Sequence, residues 1–260
     1  MSQQLSRRHL LHILSAAPIL PLAAYSDLVQ AAGKVKVQTA KLQSVSFQSM
    51  PAPSLAHPAE MASMQVGSIL KTKFSDGREN EYALSYEPFF ISGDMVPDGQ
   101  GGHILSGGYF DIHNKPIVDK TVPGSERQYY SDGPDGTSLL TVPNAKVSGV
   151  KGKPVFAVVQ FEYTSKAQDG VTPMYGKLPS PIAVLTLDQD PQTGHLSLVK
   201  YHNINTSKAN GLWITCGSSL SPWGTHLSSE EYQPDAFTAT SNAQFKAFSE
   251  NLYGDATHAN

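Results

Sequence analysis

At 260 residues the chain has room for one large domain or two small ones, and with 40% hydrophobic and 16% charged residues it is globular rather than disordered. Its formal net charge of -3 supplies no basic field, which argues against nucleic acid as a partner. Arginine is scarce: beyond the first ten residues only Arg78 and Arg127 occur, so a site gripping phosphate bidentately has little to draw on.

The N-terminal stretch SRRHLLHILSAAPILPLAA carries Arg7-Arg8, then an apolar run interrupted by Pro18 and Pro21, then small residues. The run is too short and broken for a transmembrane helix. It reads as an export signal over residues 1–32, with the adjacent arginines resembling the twin-arginine type and a cleavage site after Ala31 or Ala32. A cytoplasmic protein with an amphipathic first helix is the alternative. Export predicts a periplasmic or secreted location and the twin-arginine machinery as a partner. In that oxidising space the lone Cys216 has no internal disulfide partner, so it is free, paired with another molecule, or bound to something.

Residues 33–66 lack sustained periodicity and carry several prolines, and are expected to be a linker or an irregular N-terminal wrap. From residue 67 the signals are strands. SILKTKF and EYALSYE flank a turn at Asp76-Gly77, the pattern of a hairpin. The glycine-rich loop 93–102 is followed by no helical pattern, which disfavours a phosphate loop. TSLLTV (137–142) and PVFAVVQFEY (154–163) are rich in β-branched and aromatic residues. PIAVLTLD and HLSLVKYH predict a second hairpin, and GLWITC with THLSSEE a third. Phe245, Phe248 and Leu252 then lie at helical spacing, with Ser241 the expected N-cap. The fold class is therefore all-β, made of short antiparallel strands, and a sandwich or a propeller fits the pattern.

The densest chemistry lies in CGSSLSPWGTHLSSEE, from Cys216 to Glu231. This stretch resembles the signature of the PhoX-type alkaline phosphatases, in which a cysteine is followed by small residues, Thr-Pro-Trp-Gly-Thr, a hydrophobic pair and Glu-Glu. Ser221-Pro222-Trp223-Gly224-Thr225 fits that core, and Glu230 and Glu231 fall fourteen and fifteen residues after Cys216, the family spacing. VVQFEYTS (158–165) is similar to a second family strand, matching at Glu162, Tyr163 and Thr164, with Phe161 in place of a histidine. The resemblance covers roughly residues 150–237. Thr215, Ser218, Ser219 and Ser229 depart from the family pattern, and the insert between the two motifs is shortened, as in a divergent branch.

The resemblance implies a six-bladed β-propeller whose channel holds iron and calcium. The family is about twice this length, so the chain is expected to be a fragment: an incomplete propeller over residues 67–260, with later glutamates and a phosphate-gripping arginine in the missing half. The implied metal ligands are Cys216, Glu230, Glu231 and Glu162. The implied activity is hydrolysis of small phosphate esters by metal-bound hydroxide, in an exported monomer.

The residue types suit that chemistry. Clustered cations neutralise the ester's oxygens and acidify a water. A thiolate holds iron well, carboxylates hold ferric iron and calcium, and zinc would favour several cysteines or histidines. Glu230 and Glu231 alternate on a regular strand, so only one faces a given metal unless a bulge intervenes. On composition alone Cys216 reads as a small buried hydrophobe and the paired glutamates as a solvated strand end; His226 is a conceivable partner for Cys216 in a thiol nucleophile, but nothing else in the chain supports a cysteine hydrolase. Trp223 is expected to pack the cysteine loop. DGPDG (132–136) and DQDPQTG (188–194) imitate calcium loops but lack the terminal bidentate glutamate, and read as turns. The rival function is a non-catalytic exported propeller that binds a ligand or a structural metal.

Overall fold

The structure is a computed structural model that describes residues 40–61, 66–232, 235 and 237–255. The export-signal reading, over residues 1–32, lies outside the described residues. The described residues divide into two compact units, one ending at Pro88 and the other beginning at Phe89.

The first unit is a three-stranded antiparallel sheet in the order β1 (Leu42–Gln48), β2 (Ile69–Phe74), β3 (Glu79–Ala83), with a short helix α1 (Pro58–Met61) between β1 and β2. The β2–β3 turn falls at Asp76-Gly77 as expected. Gly77 takes a φ of 85°, and Asp76 accepts from the Arg78 backbone N–H at 3.2 Å and its Nε at 2.6 Å. β1 was not expected, because its segment read as linker. Its alternation is hidden by a register shift between Leu42 and Ser44. Counting past that extra residue, Leu42, Val45 and Phe47 stand opposite Phe74, Thr72 and Leu70, all on one face. The opposite face of β2 carries the cross-strand pairs Lys71–Glu81 and Lys73–Glu79.

In the second unit, two short hairpins come first: β4 (Met95–Pro97) with β5 (His103–Leu105), and β6 (Val118–Asp119) with β7 (Arg127–Gln128). The glycine-rich loop 93–102 is thus part of a hairpin, closed by Asp98 accepting from the N–H groups of Gln100 and Gly102. A four-stranded antiparallel meander follows, built from β8 (Pro134–Leu140), β9 (Lys153–Phe161), β10 (Ile182–Gln189) and β11 (Leu196–Asn203), each strand beside its neighbour in sequence. Alternate residues Val155, Ala157, Val159 and Phe161 of β9 meet Ala183, Leu185 and Leu187 of β10 in a buried cluster with Tyr201.

The last hairpin is β12 (Thr215–Leu220) with β13 (His226–Glu230), and α2 (Ala243–Tyr253) follows. Phe248 and Leu252 of α2 pack on Trp213 and Ile214, which anchors the chain just before β12. The cap of α2 is Asn242 rather than Ser241: its side chain accepts from the N–H groups of Gln244 and Phe245, while Gly254 ends the helix at a φ of 75°. The architecture is all-β, in several small antiparallel sheets.

Candidate metal centre

The centre forms where three chain segments converge on the end of β9. The β8–β9 pairing is irregular between Pro134 and Thr137, and Asp135 and Gly136 occupy that irregularity. Gly136 is there because β12 runs against it. A Cβ at this position would lie 2.5 Å from the Cys216 carbonyl oxygen and 2.6 Å from both Gln160 Nε2 and Ser218 Oγ. The bare backbone lets Cys216 come alongside Asp135.

Glu162 follows β9 directly. Its backbone N–H donates to Gly133 O at 2.8 Å, and its carbonyl accepts from Ser180 Oγ at 2.7 Å. The same Ser180 oxygen accepts from the Thr215 N–H at 3.3 Å, and Thr215 Oγ1 donates to Phe161 O at 3.1 Å. Gln160, fully buried, donates from its amide to the Cys216 carbonyl. These bonds tie the cysteine strand to the glutamate strand residue by residue.

The outcome is a group in which one ligand atom each of Asp135, Glu162 and Cys216 lies within 4.8 Å of the others. Glu231 adjoins it, near enough to act electrostatically on both Glu162 and Cys216. Burial, and then the negative charges of Asp135 and Glu231, hold the Glu162 carboxyl above its ordinary range. The Cys216 thiol is pushed up to about 12, first by its hydrogen bond to Asp135, then by burial and by Glu231. Among the described residues the ion pairs between side chains are Lys71–Glu81, Lys73–Glu79 and Arg78–Asp76, all in the other unit, so no lysine or arginine pairs with this acidic group. A bound cation would reverse the proton-holding tendency, because its charge favours the thiolate and the carboxylates. Carboxylate oxygens beside one sulfur fit iron, and the oxygens alone also suit calcium.

Of the four residues expected at the site, the structure brings Cys216, Glu162 and Glu231 together. Glu230 goes elsewhere: its Oε1 accepts the Trp213 N–H at 2.8 Å. The strand alternation that separates the two glutamates is the physical reason. Asp135 was missed. Its DGPDG context reads as a turn, and no local spacing signals that an irregular β8 aims its carboxylate at a cysteine 81 positions away.

The other side chains of the motif also differ from expectation. The loop does turn back between Ser221 and Thr225, with Ser221 N–H donating to Thr225 O at 2.8 Å and Gly224 at a φ of 80°. Trp223, however, stands at the tip with 73% of its surface exposed, while Trp213 is the buried tryptophan, its Nε1 donating to Tyr232 O at 3.1 Å. His226 is not a partner for the thiol. Its two ring nitrogens engage Ser138 Oγ at 2.9 Å and Gln160 Oε1 at 3.2 Å, and burial lowers its pKa. Ile214 at a φ of 39° and Tyr232 at 56° bracket the hairpin. A β-branched residue in that region is strained, and it is held there by the Trp213–Phe248 packing and by the Glu231 N–H, which donates to Ile214 O at 3.0 Å.

Comparison with protein-family models, with curated proteins and with solved structures finds no match.

Proposed function

We propose that this chain belongs to an exported, metal-dependent phosphoesterase of the PhoX type, acting on small phosphate esters, with iron and calcium as its cations. The observation that carries the reading is the convergence of Asp135, Glu162 and Cys216 on one space, with Glu231 beside them and no compensating side-chain cation among the described residues. In this reading those four residues hold the metal. When bound, the cation neutralises ester oxygens and stabilises the charge that develops during displacement. The chain's own contribution is positional: Gln160 and Thr215 fix the Cys216 strand, and the backbone of Glu162 is clamped between Gly133 and Ser180. The β8–β11 meander serves as one blade of the propeller, its strand order being that of a blade.

The test is metal analysis and phosphatase assay together. The protein purified without chelator is expected to carry iron, and Cys216→Ala and Glu162→Gln to lose it while remaining folded by circular dichroism. Wild-type protein that takes up neither iron nor calcium would end the proposal. Metal uptake by the full-length protein without turnover of any phosphate ester would favour the non-catalytic, metal-binding propeller instead.

A further inference from the structure

A cavity of about 110 Å³ lies on the same pair of chain segments as the metal centre, lined among others by Arg127, Tyr130, Asp132, Thr164, Lys166 and Gln168. Asp132 is three residues before Asp135, and Thr164 two residues after Glu162, so no more than about 7 Å of extended chain separates Thr164 from Glu162. The segments are cross-linked: Ser131 Oγ donates to Tyr163 O at 2.5 Å, and the Ser165 N–H to the Asp132 carboxylate at 3.1 and 3.2 Å.

The two cations of this cavity are uncommitted. Among the described residues neither Arg127 nor Lys166 has a carboxylate within ion-pair distance. The Arg127 guanidinium lies over the Tyr130 ring, 5.0 Å from its centroid, which orients the planar fork while leaving its edge N–H donors available. The two carboxylates of the cavity already have donors. Asp132 is bonded to Ser165, and Asp119 accepts from the Thr121 N–H at 2.9 Å, the Thr121 hydroxyl at 2.6 Å and the Gln168 N–H at 2.7 Å. Their charge weakens anion binding without occupying the cationic groups.

The geometry points to this cavity as a seat for a phosphate-class oxyanion, with Arg127 and Lys166 binding its oxygens. As a substrate-binding element the seat rests on the phosphoesterase reading; as an anion site it stands alone.

The experiment is titration of the whole chain with inorganic phosphate, then with sulfate, by calorimetry in the presence of a chelator. Wild type, Arg127→Met, Lys166→Met and Arg127→Lys are compared, with folding checked by circular dichroism. Expected are weak saturable binding of both oxyanions, and a loss of about ten-fold or more for Arg127→Met and Lys166→Met, in keeping with charge-assisted bonds. Arg127→Lys is expected to recover only part. No saturable phosphate binding overturns the seat, as does binding unchanged in the folded Arg127→Met and Lys166→Met proteins. Phosphate binding with this mutational pattern but no metal uptake leaves the seat and removes the phosphoesterase reading; metal-dependent turnover with unaltered binding in both variants does the reverse.

Discussion

Replacing Gly136 by alanine adds a single methyl group at the tightest point of the candidate metal centre. The added carbon would sit 2.5 Å from the Cys216 carbonyl oxygen, 2.6 Å from Gln160 Nε2 and 2.6 Å from Ser218 Oγ. Ordinary contact begins near 3.4 Å, so β12 must retreat by on the order of 1 Å, and the Cys216 oxygen, being backbone, cannot swing aside. Gln160 is fully buried and its amide loses the Cys216 carbonyl as β12 withdraws. Overpacking costs about 1–3 kcal/mol, and an unpaired buried amide adds about 1–3 kcal/mol. Melting should fall by several degrees, at about 2–4 °C per kcal/mol for a unit of this size. Gly217→Ala is the control, since its added carbon meets only Ser229 Oγ at 3.4 Å. The assay is thermal unfolding by circular dichroism alongside iron and calcium content. The reasoning fails if Gly136→Ala melts and binds metal like Gly217→Ala.

Two further outcomes separate groups that the sequence treats alike. Glu231→Gln should weaken iron binding, because it removes charge beside Cys216 and Glu162, whereas Glu230→Gln should leave metal content intact, since an amide oxygen still accepts the Trp213 N–H; equal loss in both, measured by elemental analysis, would refute the division. Asp119→Asn should destabilise the second unit. Burial opposes the Asp119 charge, but hydrogen bonds from Thr121 and Gln168 outweigh it and hold the pKa below the ordinary value. A depressed carboxylate contributes stability above its unfolded pKa and loses it as pH falls through the folded one, so the gap between wild type and variant in urea unfolding should be full at neutral pH and shrink below about pH 4. A gap independent of pH would assign the effect to packing.

The fold was legible wherever side-chain period and turn chemistry agreed. The β10–β11 hairpin and the Asp76-Gly77 turn followed directly from alternation and from a glycine able to take positive φ. β1 was illegible because one extra residue breaks the alternation of Leu42, Val45 and Phe47, and the partner strand that restores it is not written locally. The site divided the same way. Spacing from Cys216 pointed to the glutamate pair, and strand alternation said that one of the two would turn away, but not which. Asp135 needed the β8 irregularity and the bare backbone of Gly136, both products of tertiary contact with β12.

The strain around the hairpin indicates what the core is used for. Ile214 and Tyr232 hold positive φ at either end of β12–β13, a conformation that costs of order 1–3 kcal/mol each. Nothing in either side chain favours it. What over-determines it is Trp213, buried against Phe248 and Phe245 with ring centroids 5.1 and 6.0 Å away, its N–H groups bound to Glu230 and Tyr232. The strained turn at Ile214 leads straight into Thr215 and Cys216, and Tyr232 follows Glu231. Relaxing either φ would rotate the residue beside it, and those residues are Cys216's strand and Glu231. The helix α2 thus acts on the candidate metal centre from behind: by burying Trp213 it keeps two unfavourable backbone turns in place, and those turns aim the thiol and one of the two adjacent glutamates at the same space.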